Sequence, residues 1–73
     1  MAFEMFPVTS DNLAEIGYDE SQQVLRIIFT NGSTIYEYID VPREKFEGLL
    51  HADSHGKYFH ANIKKVYGFR KVE

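Results

Sequence analysis

The stretch VLRIIFTNGSTIYEYI, residues 24–39, decides the fold. Val24 to Thr30 is rich in β-branched and aromatic side chains, the types that fit a pleated, half-buried surface. Asn31-Gly32 follows, the strongest short-range signal for a two-residue type I′ turn, because both central positions of that turn need positive φ. Ser33 to Ile39 then returns as the next strand. A two-residue turn sets the register, so the facing pairs can be written down: Thr30 with Ser33, Phe29 with Thr34, Ile28 with Ile35, Ile27 with Tyr36, Arg26 with Glu37, and Leu25 with Tyr38. Successive side chains point to opposite faces. One face therefore carries Leu25, Ile27, Phe29, Tyr36 and Tyr38, the better core. The other carries Val24, Arg26, Ile28, Ile35, Glu37 and Ile39, four aliphatics around one Arg–Glu pair, which is more apolar than a solvated antiparallel face needs to be.

Upstream, Leu13 to Tyr18 reads as a strand that enters this hairpin through the turn-forming run Asp19-Glu20-Ser21-Gln22. Before it, residues 1–9 hold two phenylalanines, methionines and Pro7 without a clean period, which reads as an extended lead-in. Downstream, Val41-Pro42-Arg43-Glu44 opens a helix, with proline at the first helical position, where its missing N–H costs nothing, and Glu44 near the positive end of the dipole. Phe46, Leu49 and Leu50 form its apolar stripe. Asp53-Ser54-His55-Gly56 breaks the period, with Asp53 or Ser54 as candidate cap. A second short helix follows over Lys57 to Lys65, carrying Phe59 and Ile63. Tyr67 to Val72 closes the chain in an extended run. The expected architecture is α+β: a three-stranded antiparallel β-meander followed by two short helices packed on the Tyr36/Tyr38 face, in the order β-β-β-α-α.

Seventy-three residues and 8.5 kDa suffice for one domain, 1–73, with its core at about 10–72. The 44% apolar content, including six phenylalanines and five tyrosines, is enough to pack it. No cysteine is present, which removes disulfides, thiol nucleophiles and Cys-ligated metals together and suits a cytoplasmic setting. The run MAFEMFPVTS lacks a basic leader, and no segment approaches the ~20 apolar residues of a membrane span, so a soluble, unexported protein without a membrane partner is expected.

Catalytic chemistry finds little purchase. His51 and His55 have i, i+4 spacing with Asp53 and His60 nearby, but the Ser54-Gly56 break separates them and Lys57 and Lys64 flank His60, so no metal site is expected. Ser10, Ser21, Ser33 and Ser54 sit in turn, loop or cap contexts outside any nucleophile motif. The glycines are isolated, so no phosphate loop forms. Neither an enzyme nor a cofactor is expected.

Charge is more informative. Residues 1–56 carry three basic side chains (Arg26, Arg43, Lys45) against ten acidic ones, whereas residues 57–73 carry Lys57, Lys64, Lys65, Arg70 and Lys71 against Glu73 alone. Those five cations alternate with Tyr58, Phe59, Tyr67 and Phe69. Cations attract phosphates and exposed rings stack on unpaired bases, which is how single strands are held. The competing reading is that the rings are core and the lysines solvate a helix face.

The order of features, with Ile16-Gly17-Tyr18-Asp19, the alternating Leu25, Ile27 and Phe29, Asn31-Gly32-Ser33, Tyr36-Glu37-Tyr38, Val41-Pro42, Leu49-Leu50, Tyr58-Phe59, Ile63 and Tyr67, resembles the KTSC domain family. That family occurs at the C-terminus of some lysyl-tRNA synthetases and as small stand-alone bacterial proteins, and a central Tyr-x-Tyr is its hallmark. The resemblance spans about Ser10 to Val72. It implies a compact domain of uncharacterised activity, with RNA binding suggested by the synthetase fusion and no catalytic residue. Its tyrosine motif falls on Tyr36 and Tyr38, which the register places on the core face. Core is their expected role, and a ligand platform is the alternative.

Two functions follow as expectations. The first is a non-catalytic accessory module that binds RNA, as tRNA or a single strand, through Lys57, Lys64, Lys65, Arg70 and Lys71 with Tyr67 as a stacking ring. The second is a protein-interaction module that uses the aliphatic face of Val24, Ile28, Ile35 and Ile39, as a homodimer or with an unknown protein partner.

Overall fold

The computed structural model describes residues 3–30 and 34–72. Its elements, in chain order, are β1 (Glu4–Pro7), β2 (Leu13–Asp19), β3 (Val24–Phe29), β4 (Ile35–Tyr38), α1 (Arg43–Leu50), α2 (His55–Asn62) and β5 (Phe69–Val72). The β3–β4 register matches the pairing expected from a two-residue turn: Leu25 faces Tyr38, Arg26 faces Glu37, Ile27 faces Tyr36 and Ile28 faces Ile35. The Phe29 N–H donates to the Thr34 carbonyl at 3.1 Å. The Asn31-Gly32 turn itself, and the Thr30–Ser33 pair, lie outside the described residues.

Among the described residues the sheet has five strands, in the order β1-β2-β3-β4-β5 and antiparallel throughout, so the three-stranded expectation is corrected. Glu4–Pro7, read above as part of a lead-in, pairs with β2, Glu4 facing Tyr18 and Phe6 facing Ile16. Among the described residues its outer edge has no neighbour, and Pro7 closes the strand, where a missing donor is tolerated. At the opposite edge the closing run pairs with β4, Ile35 facing Val72 and Tyr38 facing Phe69. Both helices thus lie in the β4–β5 connection, and the order is β-β-β-β-α-α-β.

A bulge builds the core face of β2. Leu13 and Ile16 are three apart and by strict alternation would face opposite ways, yet both are fully buried. The register shift between Leu13 and Glu15 inserts one residue, so Leu13 faces Phe29 while Ile16 still faces Ile27. Leu25, Ile27 and Tyr38 join them beneath Phe46 and Leu49 of α1 and Phe59 of α2, with Val41 and Ile63 filling the gaps. Tyr18 stacks on Phe46 with 5.1 Å between ring centroids and donates its hydroxyl to the Val41 carbonyl.

The helix ends differ slightly from expectation. Pro42, with ψ at 153°, is the N-cap of α1 and not its first helical residue. Ser54 caps α2, its hydroxyl accepting from the Lys57 N–H at 3.3 Å, so the helix begins at His55 and takes in Gly56. No helix among the described residues is long and apolar enough to cross a membrane.

Candidate functional site

The helix-covered face is not fully closed. Beyond the end of α2 the sheet exposes a cleft of about 640 Å³ lined by Phe29, Tyr36, Tyr38, Phe59, Phe69 and, at its rim, Asn12, Thr30, His60, Lys64 and Lys65. Its rings form one connected cluster. Tyr36 and Phe69 approach to 5.0 Å between centroids, Tyr38 and Phe69 to 5.4 Å, Tyr38 and Phe59 to 5.5 Å, and Phe29 and Tyr36 to 5.4 Å edge to face. The cluster divides by depth. Phe59 and Tyr38 are each 2% exposed, whereas Phe69 is 53% exposed and Phe29 and Tyr36 are half-buried. The two members of the tyrosine motif therefore differ: Tyr38 belongs to the core, and Tyr36 bridges core and surface.

Burial pushes the Tyr38 phenol up to about 12, with Tyr36 adding to the effect. Its hydroxyl has no hydrogen-bond partner among the described residues, although every fully buried side-chain nitrogen and oxygen there is bonded, so the oxygen meets solvent at the cleft. Tyr38 thus brings a polar group among the rings that line the cleft.

The expected basic residues do not converge on one patch. Strand alternation sends Lys71, opposite Tyr36, to the cleft face and Arg70, opposite Glu37, to the other. Arg70 donates to Glu37 Oε1 at 2.8 Å and 3.0 Å. Tyr67 packs against the core, and its N–H donates to the Ile63 carbonyl. Lys64 and Lys65 line the aromatic cleft, and Lys57 lines an adjoining one. Each described arginine is ion-paired, but no carboxylate lies within 4.0 Å of Lys57, Lys64, Lys65 or Lys71 among the described residues. Sequence reasoning did not name Phe29 as a site residue, and it did not join Tyr36, whose alternative role was a ligand platform, to Phe69, one of the rings among the C-terminal cations. Their signal was the cross-strand proximity of Tyr36 and Phe69, which required the unrecognised β4–β5 pairing.

The adjoining cleft, about 740 Å³, is lined by polar groups that include Ser10, Asp11, Asp53, Ser54 and Lys57, and it shares Asn12 and His60 with the aromatic one. Local hydrogen bonds fix this shared wall. Ser10 Oγ accepts from the N–H groups of Asn12 and Leu13, and the Asn12 carbonyl accepts from Thr30 N–H at 3.0 Å. Gly56 brings α2 against this loop, since a Cβ there would lie 3.3 Å from Asn12 Nδ2. His55 Nδ1 donates to the Leu49 carbonyl at 2.8 Å and so ties the two helices together. No group of three metal-ligating side chains occurs among the described residues.

The opposite face of the sheet carries Ile28 and Ile35, both half-buried, and Ile39, 40% exposed, while Val24 is buried within the domain. Its centre is ionic. Glu37 sits between Arg26 and Arg70, and the Phe3 ring lies 4.1 Å from the Arg26 guanidinium carbon. Burial alone would raise the Glu37 pKa, but the hydrogen bonds from Arg26 and Arg70 outweigh it and hold the carboxyl below its ordinary value.

Residues 9–67 match the model of the KTSC domain family. A protein of Tsukamurella paurometabola is 42% identical over 60 residues, covering 82% of this chain and 88% of that protein. A lysine–tRNA ligase of Trichormus variabilis is 33% identical over 72 residues, 99% of this chain, which spans 13% of the ligase's length. The crystal structure of a KTSC domain protein from Yersinia pestis superposes with a TM-score of 0.91 at 33% identity, covering 99% of this chain and 100% of that one. The matched span, the agreement in fold and the Tyr36-Glu37-Tyr38 motif together establish that this chain belongs to the KTSC domain family.

Proposed function

We propose that this domain is a non-catalytic module that binds single-stranded RNA in its aromatic cleft. One observation carries the reading: Phe69, half-exposed beside Tyr36, shares a cleft with Lys64 and Lys65, neither of which has an acidic partner among the described residues. Ring stacking on an unpaired base contributes roughly 1 to 3 kcal/mol, and lysines freed from carboxylates neutralise phosphates with release of counterions. The segment's counterpart in lysine–tRNA ligases supports the same reading, since those proteins handle tRNA. Lys64, Lys65 and Lys71 are the phosphate contacts and Phe69 is the stacking ring, in the place first given to Tyr67. Arg70 is committed to Glu37 and takes no part.

The test is a fluorescence anisotropy titration of a short labelled single-stranded RNA at two salt concentrations. Binding that weakens with salt and is lost in Lys64→Ala/Lys65→Ala is expected. Absence of binding at low salt, or affinity indifferent to salt, would overturn the proposal. The aliphatic face is the weaker candidate for a partner surface, because its centre is occupied by the Arg26–Glu37–Arg70 group and Val24 is unavailable.

A further inference from the structure

We infer that the outer edge of β5 takes up an extended acidic peptide as an added antiparallel strand, selecting a segment in which two adjacent acids stand between apolar residues. Among the described residues β5 pairs on one side only, with β4. The Ile39 N–H donates to the Gly68 carbonyl at 2.9 Å. Bonding alternates along an antiparallel pair, so Arg70 and Val72 also bond towards β4, while the N–H and C=O groups of Phe69 and Lys71 point outwards. Such a row is a template for another strand, and main-chain pairing of this kind is a common mode of peptide capture. The opposite edge is the poorer template, because β1 ends in Pro7, which has no N–H to give, and carries the acid Glu4.

The side chains of β5 say which strand fits. Phe69 is 53% exposed, Arg70 and Lys71 are exposed, and Val72 is half-buried. Residues directly opposite one another interact, so the best neighbour sets apolar side chains against Val72 and Phe69 and acids against Lys71 and Arg70. Charge supports the same choice. Lys71 has no carboxylate within 4.0 Å among the described residues, and Arg26 and Arg70 share the one carboxylate of Glu37, which leaves that group a positive charge in excess. Arg70 holds Glu37 through Nε and Nη2, and its Nη1 has no partner among the described residues. These cations also argue against a second copy as the occupant. Two β5 edges paired in antiparallel register would set Arg70 of one copy against Lys71 of the other, like charges directly opposite. Cations on an edge strand guard it against its own kind and leave it open to a strand of opposite charge.

The experiment follows the backbone amides of the isotope-labelled full chain by NMR during titration with a short peptide, blocked at both ends, whose core is valine–glutamate–glutamate–valine. Slower hydrogen exchange is expected at the Phe69 and Lys71 amides, with little change at Arg70 and Val72, which already bond to β4. A peptide with lysines in place of the glutamates is expected to bind at least about tenfold more weakly. N-methylation of the first glutamate and the second valine, the residues set against Lys71 and Phe69, is expected to abolish the protection by removing both donors. Lys71→Glu, at an exposed position, is expected to keep the amide spectrum of a folded chain and to bring the two peptides to about equal affinity. No effect of the acidic peptide on β5 at low salt would overturn the proposal, as would equal binding of the two peptides by the wild type. Shifts at Lys64 and Lys65 without protection of Phe69 and Lys71, or undiminished binding of the methylated peptide, would overturn the added strand and show charge attraction alone. Undiminished discrimination by Lys71→Glu would overturn the role of Lys71.

Discussion

Arg26 and Glu37 face each other across β3 and β4, with Nη2 of the arginine 2.6 Å from Oε2 of the glutamate. Arg70 completes the carboxylate from β5, so an acid whose side chain is 6% exposed keeps both oxygens bonded. Its folded pKa lies below the ordinary value of 4.5, so its stabilisation is fully present above that pH and is lost as pH falls through the folded value. Glu37→Gln is expected to cost about 1 to 3 kcal/mol near neutral pH and to make the acid limb of the stability curve shallower. The limb does not vanish, because Asp19, held low by the Ser21 hydroxyl, follows the same sign. Arg70 is 63% exposed, so Arg70→Ala costs under about 1 kcal/mol. Urea unfolding across the acid range checks both, and equal losses for the two variants would contradict this account.

The edge strand β1 depends on a missing side chain. A Cβ at Gly17 would overlap the Met5 sulfur and lie 3.2 Å from the Glu4 carbonyl oxygen, so Gly17→Ala forces β1 outwards or displaces Met5. A loss of about 1 to 3 kcal/mol is expected, as for other overpacked sites. Met5→Ala in the same chain relieves the overlap, and the double variant should lose less than the sum of the singles. Strict additivity by denaturant midpoint would show that β1 is not held this way.

Legibility followed locality. The β3–β4 pairing could be written residue by residue because Asn31-Gly32 and period-two alternation both act within a few positions. Neither edge strand offered that. Glu4–Pro7 is short and ends in proline, and Phe69–Val72 alternates ring, cation, cation and valine, so its pairing with β4 depends on where two intervening helices deliver the chain. The same gap hid the site. The basic residues were visible as a composition, but only β5's register sends Lys71 and Phe69 to one face and Arg70 to the other. Leu13 illustrates a third kind of difficulty: a bulge changes parity, and nothing in Leu13-Ala14-Glu15 announces it.

Tyr38 supplies a prediction at the alkaline end. Its folded pKa is raised from 10.0 to about 12, so its contribution is fully present below pH 10 and is lost as pH rises through the folded value. Tyrosinate absorbance during a pH titration should show a late step near pH 12 that Tyr38→Phe removes. Since the hydroxyl has no partner among the described residues, the same substitution leaves neutral-pH stability within about 1 kcal/mol of wild type. A late step that survives in Tyr38→Phe would assign it to another tyrosine, with Tyr18, also raised by burial, the first to test.

Phe59 and Phe69 belong to one ring cluster through Tyr38, yet they should fail in different ways. Phe59 is 2% exposed and touches Phe29 and Tyr38, so Phe59→Ala opens a cavity and costs about 3 to 5 kcal/mol, much of the stability of a domain this small. Phe69, 53% exposed, holds little of the core, and Phe69→Ala should lower the denaturant midpoint only slightly while weakening single-stranded RNA by roughly 1 to 3 kcal/mol. Tyr67→Phe serves as the control, since that ring packs against the core and should leave RNA affinity unchanged. If Phe69→Ala binds RNA as wild type does while Tyr67→Phe binds it weakly, the stacking ring lies on the other side of Gly68 and the aromatic cleft is not where the strand sits.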